Sequence, residues 1–439
     1  MRPPFHVTDT PTMADETDQD RLGESSGTID VVVIGAGQAG LATSYYLTEA
    51  DCDHVVLERD RIGERWRSER WDSFTLVTPN WMVDLPGFPY EGDDPEGFLS
   101  RDEVVAHLEA YVDRFDPPLR TGVDVTAVRR AGSGFVVETD DSTYEAANVV
   151  VATGPYQRPH VPSFGTEIPP SVRQIHTSQY RNPDQLQPGG VLVIGSAQSG
   201  AQVAQELHES GRDVYLSVSG ALKGPRRYRG RDIVRWMVDL GLFDGTVDGL
   251  ESPADRFASS IYVSGKAGGQ EIDLLDLAAD GMTLLGRAEG VEDGVLVVAD
   301  DLEENLRNAY RFYAGLIGQI DDLVETDGID AADPEFVPRD PEDISIESVR
   351  ALDFEAANVR TVIWATGFRF DFGWVEPAIL DEYGYPVHDR GVTDTPGLYF
   401  LGLPWLHTGS SSLLFGVGGD AEYVTDHILD RLEQPTPGT

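Results

Sequence analysis

Apolar positions along this chain fall into short β-branched runs, each followed by a glycine-rich turn and a stretch of helical periodicity. "IDVVVI" (29–34) runs into "GAGQAG" and then "LATSYYL", and "VLVI" (191–194) runs into "GSAQSG" and then "AQVAQEL". Runs of Val and Ile predict strands buried on both faces, and small residues at the start of the next helix let it pack close to the sheet. The strands "HVVLE" (54–58) and "DVYLS" (213–217) then close each unit. Strand, turn, helix, strand is the grammar of a parallel sheet, so the pattern predicts an α/β fold with two nested Rossmann-type dinucleotide-binding domains.

Each glycine of the first turn has a physical role. Gly35 makes the tight turn, Gly37 lets backbone approach a pyrophosphate, and Gly40 lets helix and strand pack, with Gln38 and Ala39 between them at the positive end of the helix dipole. Glu58, at the end of the next strand, is placed to accept hydrogen bonds from a ribose, and Arg59 follows it. The second turn repeats the pattern through Gly195, Ser196, Gln198, Ser199 and Gly200, with Ala197 in the middle position. Comparison of the two strand ends puts Ser217 where Glu58 stands, and a small neutral residue tolerates a 2'-phosphate that an acid repels. The cluster "KGPRRYRGRD" (223–232) follows, and it is either solvated surface or an anion site. On the second reading Arg226 and Arg227 take the 2'-phosphate, with NADPH as the nucleotide and NADH as the alternative.

Two strands exit through Ala-Thr-Gly, "NVVVATG" at Thr153 and Gly154 and "TVIWATG" at Thr366 and Gly367. They mark the crossings between domains. The expected organisation is a disordered acidic tail over 1–28, a first domain over 29–160 and 351–432, and a second over 161–350. Amphipathic patterns such as "RDIVRWMVDLGLF" predict a helical insertion over about 221–350, which covers the cleft and shapes either a substrate pocket or a homo-oligomer interface. The loop "RIGERWRSERWDSF", rich in Arg and Trp, is either a core anchor or a wall for a planar ligand, with Arg65 and Trp66 nearest to it.

Charge and cysteine usage narrow the function classes. The chain has 439 residues, enough for two cores, and 33 basic against 76 acidic residues give a formal charge of -43. Such a surface excludes nucleic acid as a partner, repels anionic membranes, and resembles that of proteins from salt-loving organisms. Cys52 is the single cysteine, so dithiol chemistry is closed. No run of 18 apolar residues is present, which points to a soluble cytoplasmic protein without membrane insertion. The histidines are scattered without ligand spacing, so no metal site is expected.

Taken together, "GAGQAG", "GSAQSG", the two "ATG" exits, "VLERDRIGERW" and "GLYFLGLPWLHTGSSSLLFGVGGDAEYV" resemble the two-dinucleotide-binding-domain flavoproteins over most of residues 29–430. Within these the chain is similar to the class B flavin monooxygenases, the CzcO-like oxidoreductases and the plant indole-pyruvate monooxygenases. The resemblance implies FAD on the first turn and NADPH on the second. It implies that Val125 offers its backbone to the adenine, that Leu414 and Phe415 bind FAD, and that "SSSLLFGVGGDAEYV" forms the final FAD-domain helix with its N-terminus toward the flavin. It implies a monooxygenase that uses dioxygen and a 4a-hydroperoxyflavin to oxygenate a small organic substrate, with His407 as either a proton donor or a structural residue. A flavin-dependent dehydrogenase or oxidase is the alternative, and a nucleotide-binding sensor or accessory protein of ion transport is another. The family's linker signature is matched in part, by His176, Tyr180 and Arg181, and Val77 stands where several members place an asparagine, so Asn80 does not inherit that role.

Overall fold

The computed structural model describes residues 28–258, 261–347 and 349–434, so the expected tail lies, but for its last residue, outside the described residues. The strand Ile29–Ile34 sits at the middle of the first sheet, parallel to His54–Glu58 on one side and to Thr143–Val151 on the other. Val31, Val32 and Val33 have no exposed surface, as expected of a parallel strand covered on both faces. Leu119–Thr121 extends the sheet at one edge, and at the other Leu398–Phe400 pairs with the end of Thr143–Val151. An antiparallel meander, Val125–Ala131 and Gly134–Thr139, pairs with its beginning. The helix Gln38–Glu49 and the C-terminal helix Val417–Glu433 pack together beside this sheet.

The second sheet is wholly parallel, in the order Arg173–His176, Val359–Trp364, Gly190–Ile194, Val214–Ser217, Thr283–Leu285. This corrects the expected return to the first domain at residue 351. The strand carrying "TVIW" is buried between two strands of the second sheet, and Ala351–Asp353 pairs with Val295–Val298 in a small antiparallel sheet of the same region. The chain returns only after Trp364. The two crossings are joined directly, because Arg158–Pro159 and Phe368–Arg369 form an antiparallel ribbon.

The region expected as a helical insertion is mixed. Thr283–Leu285 is an integral strand of the second sheet, and Ala288–Glu292 with Val295–Val298 forms a hairpin. The helical part is Ile233–Asp239, the short Leu274–Ala279 and the long helix Leu302–Asp327, whose Leu306, Tyr310, Tyr313, Ile317 and Ile320 recur at helical spacing on its buried face. Among the described residues no helix is long and apolar enough to cross a membrane.

Candidate functional site

The first turn is built around missing side chains. Gly35 has φ of +102°, and a Cβ there would lie 2.7 Å from the Ala152 carbonyl oxygen. A Cβ on Gly40 would lie 1.8 Å from the Gly35 carbonyl oxygen, so only glycine lets the helix approach the strand. Gly37 is different in kind, because a Cβ there meets nothing within 4 Å. Its backbone (φ -77°, ψ -174°) suits any residue and nearly matches Ala197 in the second turn (φ -72°, ψ -171°). Protein packing therefore does not require glycine at 37, and the space beside its backbone is open. No side chain caps the N-terminus of the helix that starts at Gln38, which leaves its first N–H groups without a side-chain acceptor. Glu58 accepts from the backbone N–H of Ala36 at 2.7 Å and of Asp60 at 3.0 Å, fixing its carboxylate at the lip of the turn. These features fit a dinucleotide.

The second turn shares the frame. Gly195 has φ of +106°, a Cβ on Gly200 would lie 1.9 Å from the Gly195 carbonyl oxygen, and the helix Gln198–Glu209 also lacks a side-chain cap. Its strand register corrects the reading of Ser217. Gly35 N–H donates to the Leu57 carbonyl and Gly195 N–H to the Ser217 carbonyl, so Ser217 corresponds to Leu57, and Val218 holds the place of Glu58. Ser217 is buried, donates to the Gly286 carbonyl and accepts from Ala288 N–H, which makes it a brace for the hairpin that follows.

Most of the basic cluster is engaged inside the fold. Arg226, 2% exposed, pairs with the equally buried Asp232 through Nε at 2.9 Å, donates to the Val77 carbonyl at 2.9 Å, and lies 4.3 Å from the centre of the Phe98 ring. Lys223 is buried against Glu271 and Asp273, Arg229 pairs with Asp321 at 2.6 Å and Arg231 with Asp239 at 2.6 Å. Arg227 donates to the Gly268 carbonyl at 2.9 Å. Arg227 is exposed and makes no ion pair among the described residues, whereas the other four cations are held by carboxylates, and removing water from a pair such as Arg226–Asp232 leaves no reason for it to open toward a phosphate.

Both turns border one cavity of about 570 Å³, within the range of small-molecule sites. Gly35, Gly37, Gln38, Ala39, Glu58 and Arg59 line it from the first unit, and Gln198 and Ser199 from the second. Arg65, Trp66, Val125, Thr153, Gly154 and Leu414 also line it. Gly195, Ser196 and Gly200 stand behind the wall, where they shape the second turn. Thr366 and Gly367 are outside the lining too: Thr366 Oγ1 donates to the His160 carbonyl, and the Gly367 carbonyl meets His176 Nε2 at 3.0 Å. Phe415 packs instead on Phe243, its ring 5.2 Å away. His407 is likewise outside the lining, and its backbone N–H donates to Ser411 Oγ at 3.0 Å while its carbonyl accepts from Val247 N–H at 2.8 Å. Asn80 is buried and structural, accepting from Leu99 N–H at 2.6 Å, whereas Val77 reaches the cavity.

Sequence reasoning missed Arg70, Tyr156, Gln157 and Gln202, which line the same cavity. Gln202 shares a helix face with Gln198, and both amides donate to the Val263 carbonyl, so helical spacing was the signal for it. Nothing local marks Tyr156 as a wall residue.

Burial lowers the pKa of His176 below the usual histidine value, and its ring joins Ser178 (Nδ1 to Oγ, 3.0 Å) to the return crossing at Gly367. The partial linker signature thus serves as a clasp between the two crossings. Cys52 is pushed up to about 11 by burial, with Asp30 and Asp53 adding to the effect, so it is a thiol at neutral pH and no nucleophile.

The pyridine nucleotide-disulphide oxidoreductase family profile matches residues 32–235. A CzcO-like oxidoreductase from Geobacillus kaustophilus is 36% identical over 406 residues, covering 92% of this chain and 99% of that protein. The chain belongs to the CzcO-like oxidoreductases. A flavin-containing monooxygenase from Stenotrophomonas maltophilia superposes on this CzcO-like protein with a TM-score of 0.63 at 21% identity, over 92% of this chain and 99% of that one. The OTEMO structure, a complex with FAD and NADP, superposes with a TM-score of 0.54 at 20% identity, over 93% of this chain and 87% of the other. These likenesses establish the two-domain fold. With a single cysteine, this chain supplies no redox pair of its own.

Proposed function

We propose that this CzcO-like protein is an FAD-dependent monooxygenase that draws electrons from NADPH and oxygenates a small organic substrate with dioxygen. The observation that carries the reading is that two uncapped helix N-termini, one behind a glycine that protein packing does not require, open on a single cavity. The similarity to a flavin-containing monooxygenase and to a fold solved with FAD and NADP supports it. Bound FAD supplies hydride acceptance and oxygen activation, chemistry that needs no protein nucleophile.

The chain's own residues bind, orient and exclude water. The Gly37 backbone and the N-terminus of the helix from Gln38 would hold the FAD pyrophosphate, with Glu58 taking the ribose hydroxyls. Trp66 and Leu414 would wall the remainder of FAD, with Val125 beside its adenine. Gln198 and Ser199, at the second helix N-terminus, would hold the NADPH pyrophosphate. Val218, neutral where the first unit has Glu58, leaves a 2'-phosphate unopposed by an acid.

The test is rapid mixing of NADPH-reduced, FAD-loaded protein with oxygenated buffer while the flavin spectrum and hydrogen peroxide are followed. A monooxygenase delays the return of the oxidised spectrum and the release of peroxide. Immediate, stoichiometric peroxide would instead make the protein an oxidase, and no reduction by NADPH would make it a sensor.

A further inference from the structure

Among the described residues, one of the cations lining the cavity has no ionic partner. Arg59, Arg61 and Arg65 all line it, and each pairs with a carboxylate: Asp60 at 3.1 Å, Glu64 at 2.8 Å and Glu69 at 3.3 Å. Arg70 forms no ion pair among the described residues, since the carboxylate of its neighbour Glu69 is held by Arg65. Of the five N–H donors on its side chain, one hydrogen bond is made, from Nη1 to the Glu69 carbonyl at 3.1 Å.

The Arg70 guanidinium is nevertheless well placed. Its central carbon lies 5.3 Å from the ring centre of Trp66, 5.7 Å from that of Phe74 and 5.2 Å from that of Tyr156. Stacking of this kind holds the planar group against the rings and leaves its N–H edge available, a geometry suited to forked recognition of an oxyanion. Burial lowers its pKa from the ordinary arginine value, yet an arginine remains charged at neutral pH. Tyr156 stands just past the first crossing, its ring 5.2 Å from Phe368 of the return crossing, and Gln198 and Ser199 of the second turn line the same cavity. In a chain with a formal charge of -43, Arg70 lines the cavity that the second turn also lines without a carboxylate pairing it, so its charge is open to a ligand there.

We propose that Arg70 is the oxyanion-binding residue of the cavity, its guanidinium edge receiving a phosphate or carboxylate of the ligand that lies beside the second turn. This rests on the flavoprotein reading, and two sources carry the same chemistry: a phosphate of the reducing nucleotide, or the acid group of an organic substrate.

The experiment is calorimetric titration of FAD-loaded wild-type, Arg70→Gln and Arg70→Lys protein with NADP+, and with phenylacetate against its neutral analogue phenylacetamide. Loss of a charge-assisted contact weakens binding by roughly 10- to 100-fold in Arg70→Gln, with a smaller loss in Arg70→Lys, which keeps the charge but not the fork. A loss confined to NADP+ assigns the oxyanion to the nucleotide. A wild-type preference for phenylacetate over phenylacetamide that vanishes in Arg70→Gln assigns it to an acidic substrate. If Arg70→Gln does not fold, Arg70→Lys decides alone. Flavin content and Tm are read on every sample, so a protein that holds no flavin overturns the flavoprotein reading and not this one. A flavin-loaded, folded variant that binds NADP+ and phenylacetate as the wild type does overturns this proposal.

Discussion

One methyl group separates position 37 from position 197. The backbone is nearly the same at both, and the protein leaves open space where a Cβ on Gly37 would go. Gly37→Ala is therefore expected to leave the Tm of the flavin-free protein unchanged within about a degree, since the surface substitution strains nothing, while flavin bound per chain falls sharply. An equal fall in Tm and flavin content would mean that the glycine serves folding instead. Arg226 is the opposite case. Its side chain is consumed by Asp232, so Arg226→Ala is expected to destabilise the fold by about 3–5 kcal/mol in a denaturant titration by leaving a carboxylate buried without its partner. A normal stability with a KM raised for NADPH alone would restore it to a 2'-phosphate site. The glycines were legible in the sequence because their constraint is local steric contact. The basic cluster was not, because a window shows the carboxylates but not which cation the fold brings to them: Arg226 takes Asp232 from within the same ten residues, while Lys223 and Arg229 take Glu271, Asp273 and Asp321 from far along the chain.

At the scale of elements, the strand-turn-helix units follow from the hydrophobic pattern, and the structure has both. What the pattern did not carry was the order of strands. "TVIW" reads as an apolar strand in either domain, and only its pairing between Arg173–His176 and Gly190–Ile194 assigns it to the second. Register decided Ser217 in the same way, since a one-residue offset between two similar strand ends is invisible until their hydrogen bonds are known. The consequence concerns the coenzyme. Val218 neither repels a 2'-phosphate nor binds a 2'-hydroxyl, and of the cations in 223–231 all but the exposed Arg227 are paired with carboxylates. The ratio of kcat/KM for NADPH and NADH is therefore expected to lie within about tenfold, a span of ~1.4 kcal/mol. A preference for NADPH of roughly a thousandfold, or ~4 kcal/mol, would reveal a dedicated phosphate contact.

At the scale of the whole molecule, the two sheets are tied by the paired crossings, by His176 on Gly367 and by a cavity that both units line. Buried histidines also set the pH range of the fold. His388 is pushed down to about 4, by burial first and the Arg256 charge second, and its Nδ1 accepts from Gly391 N–H at 3.1 Å. Its folded value lies below the ordinary 6.5, so the unfolded chain binds more protons between those values. Stability is whole above pH 6.5 and is lost as pH falls toward 4, with a contribution from this group of about 3 kcal/mol. His388→Asn is expected to flatten the fall of Tm over that window, and a curve parallel to the wild type would place the acid lability elsewhere.

The shared cavity implies that electrons pass from a nicotinamide nucleotide on the second unit to FAD on the first. Anaerobic titration of the purified, FAD-loaded protein with NADPH measures that transfer. The visible flavin absorption is expected to bleach in step with added NADPH, reaching completion at one equivalent per flavin. Protein that retains no FAD when supplied with it, or bound FAD that neither NADPH nor NADH reduces, would contradict it.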